Sequence, residues 1–304
     1  MNTARLKKPV FVVGHPRSGT TLLATVLGRN SELAMPPETQ FFIENCDFGD
    51  GVLSESNARL ILNRSRLRDL HLDEEEVMGC FLNSDRKLVS LFEIIIDRFR
   101  AKFGKARAGE KSPFHLFYSR TLLAHFPHSR IVCIERNGSD VVASLMRMPW
   151  SHRKFSRHVF DWCKSIEYAN TLEAEFPDRF RRVSFEKLTR DPKSQLSEIC
   201  AFCDLEYQDQ MLTPSESETI PEWERDWKGA AFMNIRPKET VGEEALSFTQ
   251  RAIFRTFANR EMDAGVDRRD LATVREMIMA WVLAWPYHPK IHPYLQRARA
   301  RFGL

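Results

Sequence analysis

The chain has 304 residues, 43% of them hydrophobic and 28% charged, with 13 Gly and 15 Pro. That composition excludes a collagen, a low-complexity chain, a small disulfide scaffold and a wholly disordered protein, and the length is ample for a sizeable core. Its 45 basic and 41 acidic side chains leave a formal charge of +4, too weak to demand nucleic acid but suited to an anionic ligand.

The chain opens on a polar, basic stretch, Met1 to Lys8, followed by the short apolar run Pro9 to Val13. Neither forms a signal-peptide core, and no window is long and apolar enough for a membrane span. The expectation is therefore a cytoplasmic protein with no integral membrane segment. Its 6 scattered cysteines are expected to be reduced thiols. No residue pattern specifies an oligomeric state.

Taken in order, the first strand is Val10–Val13, a β-branched run ending at Gly14, with a helix from about Thr20 to Leu27 behind it. A helix-rich insertion follows over about 52–104. Its best helix is Leu88–Phe103, where Leu88, Leu91, Phe92, Ile95, Phe99 and Phe103 mark one buried face. Ile131–Ile134 is a second buried strand, leading into a helix from about Ser139 to Met148. Arg182–Phe185 is a weaker third strand, and Asp191-Pro192 opens another helix with a good cap and a proline in its first turn.

Polar residues and three prolines make Thr213–Thr240 a long loop, and about 240–285 is helical, with Leu271, Val274, Ile278, Trp281 and Trp285 on one face. Strands alternating with helices predict an α/β fold: a short parallel sheet of about five strands in three layers, with helical insertions. No linker divides the chain, so 1–304 reads as one domain. Residues 9–205 form the motif-bearing core, and 206–304 the loop and C-terminal helices.

Gly14-His15-Pro16-Arg17-Ser18-Gly19-Thr20-Thr21 follows a strand and opens a helix. The G-x-x-x-x-G spacing is that of a phosphate loop. Gly19 admits close approach of an anion, backbone N–H groups converge on it, and the helix dipole favours negative charge. A nucleoside triphosphatase would carry a lysine before its last hydroxyl residue. Here the cation is Arg17, inside the loop.

Pro-Arg-Ser-Gly-Thr-Thr-Leu-Leu resembles the 5′-phosphosulfate loop of sulfotransferases that use 3′-phosphoadenosine 5′-phosphosulfate (PAPS). It is most similar to the group that includes tyrosylprotein sulfotransferases and many bacterial enzymes. Arg136-Asn137-Gly138-Ser139-Asp140, with Ser144 eight residues after the arginine, is similar to the family's 3′-phosphate motif. An arginine at a strand's C-terminal end can grip a phosphate through two parallel N–H bonds, and a serine two helical turns on can add a hydroxyl. Asp140 is expected to cap or pair locally.

The resemblance implies further roles. Glu38, in Pro36-Pro37-Glu38-Thr39, corresponds to the family's general base. Lys111, in Gly109-Glu110-Lys111-Ser112-Pro113, corresponds to the lysine that neutralises charge on the transferring sulfuryl group, a task shared with Arg17. Phe185 stands where the family has a tyrosine near the adenine. Lys238, beside Trp227-Lys228-Gly229 and Arg236-Pro237, is the candidate for closing the cofactor site.

Ser18, Gly19, Thr20 and Thr21 complete the 5′ cradle. The implied donor is PAPS, the partner a hydroxyl-bearing acceptor, and no metal is required. His15 and His115 are the fallback bases, each expected in a supporting or surface position.

Cys200 and Cys203 lie at helical spacing with Leu196 and Ile199 and read as core. His288 and His292 are broken up by prolines and do not read as a metal site, and Arg297, Arg299 and Arg301 read as solvated surface. Two other readings stay open. One is a small-molecule kinase using ATP and magnesium, against which the missing lysine argues. The other is a non-catalytic phosphoadenosine binder, against which Glu38 and Lys111 argue.

Overall fold

Val12 of the central strand runs beside Lys111 on one neighbour and Val132 on the other, all in parallel register. The computed structural model describes residues 6–152, 154–214, 235 and 242–258. Its strands are β1 (Val10–Gly14), β2 (Leu33–Ala34), β3 (Arg107–Lys111), β4 (Arg130–Glu135) and β5 (Phe180–Ser184). They form one five-stranded parallel sheet in the order β2-β3-β1-β4-β5.

Among the described residues the α-helices, in chain order, are α1 (Thr20–Gly28), α2 (Phe41–Glu44), α3 (Glu55–Leu62), α4 (Ser65–Arg68), α5 (Glu74–Leu82), α6 (Leu88–Lys102), α7 (Ser119–His125), α8 (Gly138–Met146), α9 (Phe155–Glu175), α10 (Phe185–Arg190), α11 (Pro192–Phe202) and α12 (Phe248–Phe257). The residues fall into two compact units. One is drawn from 1–135 and 171–238 and holds the sheet; the other is drawn from 136–170 and 239–304.

In the first unit β1 is apolar and buried on both faces, as the middle strand of a parallel sheet must be. Val10 and Val12 join the core cluster that holds Leu22, Leu23, Val26 and Leu27 of α1 and Leu196, Ile199 and Cys200 of α11. Phe11 faces the other way, 6.2 Å from the ring of Phe92 on α6 and 5.5 Å from that of Phe126. The sheet is thus covered by helices on both sides. Cys200 and Cys203 are core residues, and burial pushes their thiols up to about 11 and about 12.

β3 carries no strand signature, since three residues of its Arg-Ala-Gly-Glu-Lys are charged, yet all five are buried. Tertiary partners make this possible. Arg107 donates to the carbonyls of Lys8 (3.2 and 2.5 Å), Cys203 (2.8 Å) and Asp204 (2.8 Å). Glu110 and Lys111 are satisfied at the candidate site described below.

Several boundaries differ from the sequence expectation, and β5, which begins at Phe180, α8 and α6 show why. The Ser184 side chain accepts from the Lys187 N–H, so Phe185 opens α10 instead of closing β5. α8 ends at Met146, ahead of Pro149, whose ring disfavours helix at the residue before it. α6 ends at Lys102, which leaves Phe103 at its C-cap and 52% exposed.

In the second unit Val141, Val142 and Leu145 of α8 pack with Val159, Trp162 and Ile166 of α9 and Phe254 of α12. A reciprocal capping box between Ser247 and Gln250 starts α12. Among the described residues no helix is long and apolar enough to cross a membrane. Lys238, most of the Thr213–Thr240 loop, the apolar face Leu271–Trp285, His288, His292 and the arginine tail lie outside the described residues.

Candidate active site

The phosphate loop leaves the sheet at Gly14, where a Cβ would collide with the Ile134 carbonyl of β4. The Ser18 N–H donates to the His15 carbonyl at 3.1 Å, and Arg17 (φ 73°) and Gly19 (φ 101°) both take left-handed backbone. Gly19 is the N-cap of α1. It supplies no side-chain cap, and the first helical turn contains no acidic residue. The amides that begin the helix are therefore presented to an incoming anion.

Ser18 Oγ is buried and has no hydrogen-bond partner among the described residues. A buried hydroxyl of this kind fits a phosphate or sulfate oxygen. Thr20 is buried, while Arg17 and Thr21 are half-buried. The Phe185 ring lies against Gly19 so closely that a Cβ there would overlap it.

Glu38 and Lys111 come together at the same edge of the sheet. Lys111 ends β3 in register with Val12, two residues before the loop. Its Nζ lies 2.7 Å from Glu38 Oε2, with the two residues only 3% and 8% exposed. Glu38 Oε1 accepts from Gln40 Nε2 at 2.6 Å. The His15 ring meets the Phe114 ring edge-on at 5.9 Å, which joins the loop to the segment just after Lys111. The first unit thus gathers loop, aromatic ring, carboxylate and cation at the carboxyl ends of its strands, where open α/β sheets bind ligands.

Behind this pair lies a buried carboxylate that sequence reasoning passed over. Glu110 Oε1 accepts from Thr39 Oγ1 (2.7 Å) and Ser112 Oγ (2.6 Å), and Glu110 Oε2 is 2.9 Å from His115 Nδ1. The Phe42 N–H donates to His115 Nε2 at 3.2 Å, so Nδ1 is the nitrogen that carries a proton toward Glu110. Burial by itself would raise the Glu110 carboxyl. The His115 ring and the two hydroxyls outweigh it and hold the group below the usual carboxylate range. His115 is fully buried with both nitrogens engaged, which is a supporting position. The available signal was the acidic residue itself, placed between Gly109 and Lys111 with Ser112 after it.

The Arg136–Ser144 motif belongs to the second unit. Arg136 directly follows β4 in the chain. Its side chain is 9% exposed, and its Nη2 lies 3.2 Å from Asp140 Oδ2. Asp140 Oδ1 also accepts from the Gly242 N–H at 3.3 Å. Asn137 caps α8 by accepting from the Asp140 N–H at 3.3 Å, and the Ser139 hydroxyl donates to Asn137 Oδ1 at 2.6 Å. Ser144 is buried two turns along α8.

The first unit is thus an α/β fold with a five-stranded parallel sheet, an uncapped glycine loop and a buried carboxylate–lysine pair. The family model described as "Sulfotransferase family" matches residues 9–209, about two thirds of the chain, and the chain belongs to that family. Protein-tyrosine sulfotransferase 1 of Danio rerio is 26% identical over 219 residues, covering 68% of this chain and 56% of that protein. Protein-tyrosine sulfotransferase 2 of Gallus gallus is 27% identical over 216 residues, covering 68% and 54%. An uncharacterized protein of Aquifex aeolicus (strain VF5) is 26% identical over 220 residues, covering 68% of this chain and 26% of its own. The chain spans about half the length, or less, of these curated relatives.

Among solved structures, the sulfotransferase domain of the Synechococcus PCC 7002 olefin synthase shares the fold. Its TM-score is 0.55 at 19% identity, over 91% of this chain and 96% of that one. The sulfotransferase domain from the curacin biosynthetic pathway has a TM-score of 0.52 at 17% identity, over 92% and 99%.

Proposed function

We propose that the protein transfers the sulfuryl group of PAPS to a hydroxyl acceptor, leaving adenosine 3′,5′-bisphosphate. The observation that carries this reading is the buried 2.7 Å contact between Lys111 Nζ and Glu38 Oε2, beside an uncapped phosphate loop, in a chain of the sulfotransferase family. It sets a cation and a carboxylate within one hydrogen bond of each other. A transfer of this type needs one group to meet charge on sulfuryl oxygens and another to take a proton.

On this reading Arg17, Ser18, Gly19, Thr20 and Thr21 hold the 5′ end of the nucleotide. Arg136 and Ser144 hold the 3′-phosphate. Phe185, packed on Gly19, flanks the adenosine. Lys238 keeps its proposed closing role on the sequence resemblance alone. The acceptor oxygen bonds to sulfur, the bond from sulfur to the 5′-phosphate oxygen breaks, and the acceptor proton passes to Glu38. Arg17 and Lys111 offset the charge on the transferring oxygens. Glu38 and Lys111 sit in the same unit as the 5′ cradle, so chemistry and donor recognition share one sheet edge.

Thermal unfolding tests the donor. Adenosine 3′,5′-bisphosphate at about 100 times its Kd should stabilise the protein by about 2.7 kcal/mol, and ATP with magnesium should not. Equal protection by magnesium-ATP would favour a kinase and contradict the reading.

A further inference from the structure

Four consecutive backbone N–H groups, those of Thr39, Gln40, Phe41 and Phe42, each donate to a side chain. Thr39 N reaches Glu110 Oε1 at 3.4 Å, and Gln40 N reaches Ser112 Oγ at 2.8 Å. Phe41 N reaches Thr39 Oγ1 at 3.3 Å, and Phe42 N reaches His115 Nε2 at 3.2 Å. Three of the four acceptor side chains, those of Thr39, Ser112 and His115, are themselves bonded to the Glu110 carboxylate, and the fourth is Glu110.

The segment they hold begins one residue after Glu38, and Gln40 takes left-handed backbone (φ 48°) that turns its amide back to Glu38 Oε1. A non-glycine residue in that region is strained and persists only where its surroundings fix it. Here the surroundings are the hydroxyls and ring collected by Glu110.

We propose that Glu110 is the positioning residue of this active site: it never meets the reacting atoms, but it fixes the turn that aims the Glu38 carboxylate. The proposal rests on the reading of Glu38 as general base. Glu110 is fully buried, so its oxygens serve the network and not the acceptor. Its chemistry also dictates the His115 tautomer. A carboxylate at Oε2 can only accept, so Nδ1 carries the proton and Nε2 is left to accept from Phe42. Glutamine in place of Glu110 would present an amide donor on one side. Turned toward Nδ1–H it opposes another donor, and turned the other way it meets the Thr39 N–H and forces both hydroxyls to change from donor to acceptor.

The test compares turnover and nucleotide binding in Glu110→Gln, Glu38→Gln and the double variant. Radiolabelled PAPS is the donor, and a mixture of a phenol, a sugar, a long-chain alcohol and a tyrosine peptide serves as acceptor. Glu110→Gln should lower kcat by about 10- to 100-fold, the scale of a small misplacement of a reacting group. Its affinity for adenosine 3′,5′-bisphosphate should stay within about twofold of the wild-type value, because the 5′ loop is untouched.

In the Glu38→Gln background, Glu110→Gln should cost nothing more, since its effect passes through Glu38. A loss that multiplies in the double variant assigns Glu110 a general structural role and overturns the proposal. Full turnover in Glu110→Gln beside an inactive Glu38→Gln overturns the proposal alone. Full turnover in Glu38→Gln removes the base assignment and the proposal with it. Should Glu110→Gln fail to fold, Thr39→Val deletes a single hydroxyl of the network and should show the same kcat loss. Thr39→Ser, which keeps that hydroxyl, should restore turnover; equal activity of the two would overturn the proposal.

Discussion

Lys111 Nζ stands 2.7 Å from Glu38 Oε2, and both side chains are more than nine-tenths buried. A pair held this far from water is costly to break, because removing one partner strands the other charge. Lys111→Met should therefore destabilise the protein by about 3 kcal/mol, read from urea unfolding. Adding Glu38→Gln to that variant should recover most of the loss. A Lys111→Met variant as stable as the wild type would mean that the contact is not held in solution.

Glu38→Gln keeps the side chain's size and one acceptor oxygen, but it carries no charge and cannot take a proton. Turnover should fall by at least about 100-fold while adenosine 3′,5′-bisphosphate binds as before. Steady-state kinetics and calorimetry on one preparation separate the two quantities. Full activity in this variant would remove Glu38 from its proposed role.

Glu110 makes stability depend on acid. Burial opposes its ionised form, but His115 and the hydroxyls of Ser112 and Thr39 prevail and lower its value in the folded state. A lowered carboxyl contributes stability that is complete above its unfolded value, about 4.3, and is lost as pH falls through the folded one. The stability gap between wild type and Glu110→Gln should thus shrink as pH falls below about 4. Denaturant midpoints followed down through that pH decide the sign. A gap that widens with acid would contradict the assignment.

Gly19→Ala attacks the loop twice. Its φ of 101° disfavours any L side chain, and its Cβ would overlap the Phe185 ring. The variant should lose about 1–3 kcal/mol of stability and bind nucleotide more weakly. Trimming the ring with Phe185→Ala should return part of the loss but not the share that comes from φ. A fully tolerated Gly19→Ala would show that the ring does not rest on the loop.

What the sequence made legible was local. The Val10–Gly14 strand and the glycine loop obey spacing rules that need no tertiary partner, and the structure keeps both. The heptad-like face of Leu88–Phe99 is likewise intrinsic to one helix. β3 was hidden because its stability as a strand comes from distant groups. The carbonyls of Lys8, Cys203 and Asp204 take up Arg107, and Glu38 takes up Lys111. Glu110 was hidden for the same reason. The part played by Gln40 leaves no mark in the sequence at all, since it depends on an unusual φ and on a neighbour two residues away. Glu38 and Lys111 were reached by family resemblance, and their contact joins positions 73 residues apart.

On the proposed function, Arg17 serves the 5′ end of the nucleotide and Arg136 its 3′-phosphate. Calorimetric titration of adenosine 3′,5′-bisphosphate and of adenosine 5′-monophosphate into wild-type protein, Arg17→Ala and Arg136→Ala tests that assignment directly. The account predicts that Arg17→Ala weakens both ligands, whereas Arg136→Ala weakens the bisphosphate by about 10- to 100-fold, or about 1.4 to 2.8 kcal/mol, and leaves the monophosphate unchanged. Unaltered bisphosphate binding by Arg136→Ala would contradict it.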